Sequence, residues 1–197
     1  MIKDIWDDSI EGLIQVLKAT RSDTGLATLV EELICDAVDT LVNGGLIMFA
    51  GNGGSFADAQ HLSAELVGTM GYRRPPIASI LLGANSSTLS AIANDYAWEE
   101  CLAREFECLR RERTTLIVLS TSGNSKNILE LVRTASGLGA SCWGLTGAQG
   151  GELSKLCRTI KVPSGRTDRI QEIHGHLGHL ICQEIEMRLG FVRSENV

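Results

Sequence analysis

A chain of 197 residues has the length of one domain with a sizeable core. With 44% hydrophobic residues, 3 prolines and 21 glycines, it reads as compact elements joined by short glycine turns, without a disordered tract. The formal net charge of −6, with no basic group beyond short ones such as Arg110-Arg111-Glu112-Arg113, argues against a nucleic-acid partner held by phosphate neutralisation.

The first elements are helical. Ile2, Ile5, Trp6, Ile10, Leu13, Ile14 and Leu17 recur at helical spacing. A polar break at residues 21–25 precedes a second helical stretch carrying Leu26, Leu29, Val30, Leu33, Ile34, Ala37, Val38 and Leu41. Asn43-Gly44-Gly45 then punctuates the chain as a helix C-cap does. From there strand, loop and helix repeat. Short apolar runs at Leu46–Ala50, Ile77–Leu82, Thr115–Ser120, Ser141–Thr146 and Thr159–Val162 do not alternate, the pattern of strands covered on both faces. Helices are predicted near 56–67, 87–95, 98–110, 124–138 and 168–189. This order predicts an α/β three-layer sandwich with a mainly parallel five-stranded sheet, in a single domain spanning 1–197. Residues 1–44 form a preceding helical pair and 45–197 the α/β core.

No apolar run is long enough to span a bilayer, and the acidic, mixed segment Met1 to Asp8 does not resemble a signal peptide, so a soluble cytoplasmic chain without a membrane partner is expected. The cysteines at 35, 101, 108, 142, 157 and 182 contain no CxxC pair and read as buried, reduced thiols.

In a parallel sheet, ligands bind beyond the carboxyl ends of the strands. Two loops there stand out. Gly51-Asn52-Gly53-Gly54-Ser55 follows the first strand, and Ser55 with Asp58 has the spacing of a capping box. Ser120-Thr121-Ser122-Gly123-Asn124-Ser125 follows the third run, and its hydroxyls at a helix N-terminus suit an anion. Neither loop matches a Walker or GxGxxG pattern, so no nucleotide cofactor is expected. His61 and Glu65 lie one turn apart on the helix after the first loop, a pair able to act as a base or to hold a metal. The last helix carries three of the four histidines, His174, His176 and His179. Structural roles are preferred for the first two. Asp168 and Gln171 have the spacing of an N-cap and its partner, and Gly175 and Gly178 call for a reason such as close packing.

These motifs, with Asp58-Ala59-Gln60-His61, Asn94-Asp95, Leu145-Thr146-Gly147 and Arg169-Ile170-Gln171-Glu172-Ile173-His174, resemble in order and spacing the sedoheptulose 7-phosphate (phosphoheptose) isomerases of the SIS-domain class. The resemblance covers nearly the whole chain. It implies conversion of sedoheptulose 7-phosphate to D-glycero-D-manno-heptose 7-phosphate through an enediol, feeding heptose conjugates such as those of lipopolysaccharide. It implies Glu65 as the base and His179 as the partner acid/base. Ser120, Thr121, Ser122 and Ser125 correspond to a phosphate cradle. Asn52, Gly53, Gly54, Ser55, Asn94, Asp95, Asp168 and Gln171 correspond to further substrate contacts. His61, Glu65, Gln171 and His179 match a zinc site, and a homotetramer with active sites at subunit interfaces is implied. The zinc set meets a geometric obstacle: Gln171 and His179 are eight residues apart, about 12 Å along an unbroken helix, so a broken helix or a second subunit is required.

One position departs from the family. An Arg often follows Gly shortly after the catalytic Glu, whereas Thr69 follows Gly68 here, with Arg73 and Arg74 further on. This opens the substrate to a different heptose phosphate. The alternative function is a non-catalytic SIS-domain binding module, either a replication-initiator-associating protein or a sugar-phosphate sensor. The first lineage typically lacks the groups retained here as His61, Glu65 and His179.

Overall fold

The computed structural model describes residues 2–71 and 73–191. Its sheet is entirely parallel, in the order β2-β1-β3-β4-β5, with β1 Leu46–Gly51, β2 Ser79–Leu81, β3 Thr114–Leu119, β4 Ser141–Gly147 and β5 Arg158–Val162. The helices are α1 Ile2–Ser22, α2 Thr24–Val42, α3 Gly54–Val67, α4 Ser86–Asp95, α5 Cys101–Leu109, α6 Lys126–Gly137 and α7 Thr167–Arg188. Short 3-10 turns cover Trp98–Glu100 and Glu152–Lys155. The expected α/β sandwich and its strands are therefore present. The predicted 98–110 helix divides into the first 3-10 turn and α5. β2 is shorter than the run Ile77–Leu82 because it is an edge strand, paired only with β1 through Ile47↔Ser79 to Phe49↔Leu81.

The non-alternating strand runs have a simple cause: both faces are covered. Ile47, Phe49, Ile117 and Leu119 join Leu33, Ala37, Leu62, Leu66 and Ile173 in a core beneath α2, α3 and α7. Leu46, Met48, Leu116 and Val118 point the other way, against Phe106 on α5 and Ile128, Leu131 and Val132 on α6. α1 lies outside these layers and buries no residue fully, though Leu13 and Val16 pack against the first core. Among the described residues, no helix is long and apolar enough to cross a membrane.

The two glycines of α7 behave oppositely. A Cβ on Gly178 would lie 2.5 Å from the Leu62 side chain, so this glycine lets α3 and α7 cross closely. Nothing lies within 4 Å of a Cβ at Gly175. Gly178→Ala should therefore destabilise by about 1–3 kcal/mol through overpacking. Gly175→Ala should stabilise by up to about 1 kcal/mol through helix propensity. Urea melts of the two variants check the opposite signs, and a stabilising Gly178→Ala would contradict the packing account.

His174 has the structural role expected of it. It is fully buried, and its Nε2–H donates to the Thr146 carbonyl at 3.3 Å. Burial pulls its pKa from an ordinary 6.5 down to about 4, with the Thr146 bond opposing weakly. The unfolded chain binds a proton near pH 6.5 while the folded one resists it to about pH 4, so stability is complete above 6.5 and declines through that window. The loss amounts to about 3 kcal/mol. Thermal melts from neutral pH toward pH 4 should show a falling Tm, with a flatter slope in His174→Gln. An identical slope in that variant would remove His174 as the cause.

Candidate active site

The strand order places a topological switch at β1, whose successor β2 lies on one side and β3 on the other. A crevice opens beyond the carboxyl ends at such a point. The loops after β1 and β3 meet there, and paired amides join them: Asn52 Nδ2 donates to Asn127 Oδ1 and Asn127 Nδ2 to Asn52 Oδ1, each at 2.9 Å. Asn127 escaped the sequence reading. Its only local signal is a polar residue buried in the first turn of α6, and its partner is 75 positions away. A cleft of about 220 Å³ is lined here by Asn52, Gly53, Phe56, Leu89, Trp98 and Asn127.

Two capping expectations fail. α3 begins at Gly54 behind Gly53, whose φ of +56° makes the turn into the helix, so Ser55 lies buried inside the first turn instead of capping it. Asp58 correspondingly has an unpartnered, buried Oδ2, and burial raises its carboxyl pKa while His61 opposes the rise. α7 starts at Thr167 after Arg166, so Asp168 is already helical. Its carboxylate is committed to Arg166, with Oδ2 2.6 Å from Nη2, and that bond lowers its pKa. Gln171 instead reaches the β1 loop, where its amide sits so close to Gly54 that a Cβ there would be 2.3 Å from Nε2.

The second loop is tied to its neighbours through its backbone. Ser120 N–H donates to the Leu145 carbonyl, the Thr121 carbonyl accepts from Gly147 N–H, and the Gly123 carbonyl accepts from Leu153 N–H at 2.9 Å. Ser120 and Ser125 hydroxyls approach to 3.5 Å, while Ser122 Oγ accepts from Asn124 N–H at 3.2 Å. The N-termini of α3, α6 and α7, which follow β1, β3 and β5, have no side-chain cap. Those of α2 and α4 are capped by Asp23 and Asn85. Uncapped N-termini present amide donors and a positive dipole end, the condition for holding an anion.

His61, Glu65 and His179 converge. The Nε2 atoms of His61 and His179 are 2.8 Å apart with their rings edge-on, and His61 Nε2 is 3.3 Å from Glu65 Oε1. One ligand atom from each of the three lies within 4.8 Å of the others. Two ring nitrogens and a carboxylate oxygen face one spot, and which nitrogen donates depends on the imidazole tautomers. The set can hold a metal, since two imidazoles and a carboxylate form a recognised three-ligand donor set with an open position. α7 runs unbroken from Thr167 to Arg188, so Gln171 stands about 12 Å along the helix from His179 and does not join this group within one chain.

Other expected residues lie apart. Asn94 and Asp95 end α4, both exposed, with Asn94 Nδ2 donating to Asp95 Oδ1 at 2.8 Å. Asp95 lines a separate hollow with Asn85, Thr88, Tyr96 and Arg104. Thr69 is exposed just past α3, and Arg74 cannot stand in for an arginine there because its side chain is buried against Glu186.

Residues 8–147 match the SIS domain family. The chain is 40% identical over 186 residues to the phosphoheptose isomerase of Aneurinibacillus thermoaerophilus, covering 94% of each. The solved structure of a Francisella tularensis phosphoheptose isomerase superposes with a TM-score of 0.90 at 31% identity, over 95% of this chain and 99% of that one. The corresponding Neisseria gonorrhoeae structure gives 0.86 at 31%, over 95% and 100%. The chain belongs to the SIS-domain family, within its phosphoheptose isomerases.

Proposed function

We propose that the chain interconverts sedoheptulose 7-phosphate and D-glycero-D-manno-heptose 7-phosphate, with Glu65 as the base and His179 as its partner. The observation that carries this reading is the convergence of His61, Glu65 and His179 in a chain whose α3 and α6 N-termini are left uncapped at the carboxyl ends of β1 and β3. Glu65 takes a proton from C1 of the ketose, an enediol forms, and the same carboxyl returns a proton to C2. His179 moves the proton between the two substrate oxygens. The phosphate is held by Ser120, Thr121, Ser122 and Ser125 at the start of α6, and Asn52, Gly53, Gly54 and Gln171 orient the sugar chain.

His61, Glu65 and His179 are the residues that would hold zinc. When bound, zinc supplies Lewis-acid stabilisation of charge developing on the enediol oxygens. Gln171 from a second copy is the fourth candidate ligand, and Asn94 and Asp95 would likewise complete a site shared between chains. A homotetramer fits the uncovered apolar stripe of α1, where Ile2, Ile5 and Trp6 are 78%, 66% and 64% exposed.

The reaction run in deuterium oxide tests the enediol route. Glu65 has 20% side-chain exposure, so its proton exchanges with solvent and deuterium is expected at C2 of the product. Product formed with only protium at C2 throughout the reaction would favour a hydride shift and overturn the mechanism.

A further inference from the structure

We propose that the buried Arg74–Glu186 pair is a clamp that sets the position of Glu65 relative to His179. Glu65 stands in the last turn of α3, which ends at Val67, where helix carbonyls lack intrahelical partners and ends fray. One guanidinium occupies these carbonyls: Arg74 Nη2 donates to the Glu65 carbonyl at 2.8 Å and Nη1 to the Leu66 carbonyl at 2.9 Å. Its positive charge also faces the negative end of the helix dipole.

The same guanidinium reaches α7. Arg74 Nε donates to Glu186 Oε1 at 2.7 Å, and Nη2 donates to the same oxygen. The two side chains are 1% and 2% exposed, so water does not compete for these bonds. Glu186 lies seven residues beyond His179 on α7, two turns along one face. The helix carrying the base and the helix carrying its partner are thus joined by one rigid fork, with Leu62 and Cys182 packed between them. A buried ion pair adds little to stability compared with a well-packed apolar pair, and fixing registry is its best-attested use. Arginine is required because lysine cannot present the planar fork of donors that serves three carbonyls, those of Glu65, Leu66 and Pro75, and a carboxylate together.

The proposal rests on Glu65 and His179 being the reacting pair, and the test keeps that reading separate. Arg74→Lys and the apolar replacement Arg74→Met/Glu186→Leu are compared with the wild type for turnover of sedoheptulose 7-phosphate, zinc affinity by chelator competition, and Tm. In each folded variant kcat should fall about ten- to a hundred-fold with KM within about three-fold, because the loss is one of alignment. Zinc affinity should fall about ten-fold, since outer partners of metal ligands act on that scale. A folded variant with kcat and zinc affinity within about two-fold of wild type, whatever its Tm, would overturn the clamp. Failure of both variants to fold would make the pair structural and overturn it equally. Should the wild type not turn over the substrate, the zinc readout still decides the clamp.

Discussion

Glu65→Gln is expected to lower kcat on sedoheptulose 7-phosphate by roughly a thousand-fold, within the range general base catalysis contributes. The amide keeps the shape of the side chain and the helix of Glu65, but it cannot accept the C1 proton. KM should change little, because the 120–125 loop proposed to hold the phosphate and the Asn52–Asn127 bridge are untouched. Measuring at saturating zinc separates loss of the base from weakened metal binding, since Glu65 is proposed for both roles. Residual turnover above about a tenth of wild type would exclude Glu65 as the base.

Gly123→Ala is expected to produce the largest structural loss. Gly123 has φ +65°, and a Cβ there would lie 2.1 Å from the carbonyl oxygen of Gly150. That neighbour is backbone, so the clash cannot be relieved by a side-chain rotation. The substitution adds left-handed strain to a forced separation of the 120–125 loop from the 150–153 segment, for a combined loss of about 3 kcal/mol or more. For a chain of this size that lowers Tm by about 6–12 °C. The serine hydroxyls move with the loop, so phosphate affinity should fall along with stability. Calorimetry with and without inorganic phosphate checks both, and a variant with unchanged Tm and phosphate response would contradict the loop geometry.

Much of this fold is legible in the residues because burial on two faces leaves a direct trace. Runs such as Leu46–Ala50 and Thr115–Ser120 lack alternation because α2, α3 and α7 cover one side and α5 and α6 the other. The loops after β1 and β3 are legible because hydroxyls and glycines cluster there. His61 and Glu65 are visible from helical spacing alone, whereas His179, 118 residues from His61, is joined to them only through the family resemblance. The expected caps are absent because Ser55–Asp58 and Asp168–Gln171 have the right spacing without the right starting point. Gly53 turns the chain into α3 two residues too early for Ser55 to cap it, and Arg166 claims Asp168. The Asn52–Asn127 bridge and the Arg74–Glu186 pair join positions 75 and 112 apart, and no local pattern encodes such a contact.

The most direct test of the central claim is turnover of sedoheptulose 7-phosphate by the purified, zinc-supplemented protein beside Glu65→Gln, followed by NMR. The account predicts conversion to the aldoheptose 7-phosphate by the wild type and its near-abolition in the variant. No conversion by the wild type would contradict it and restore the non-catalytic binding module as the leading reading.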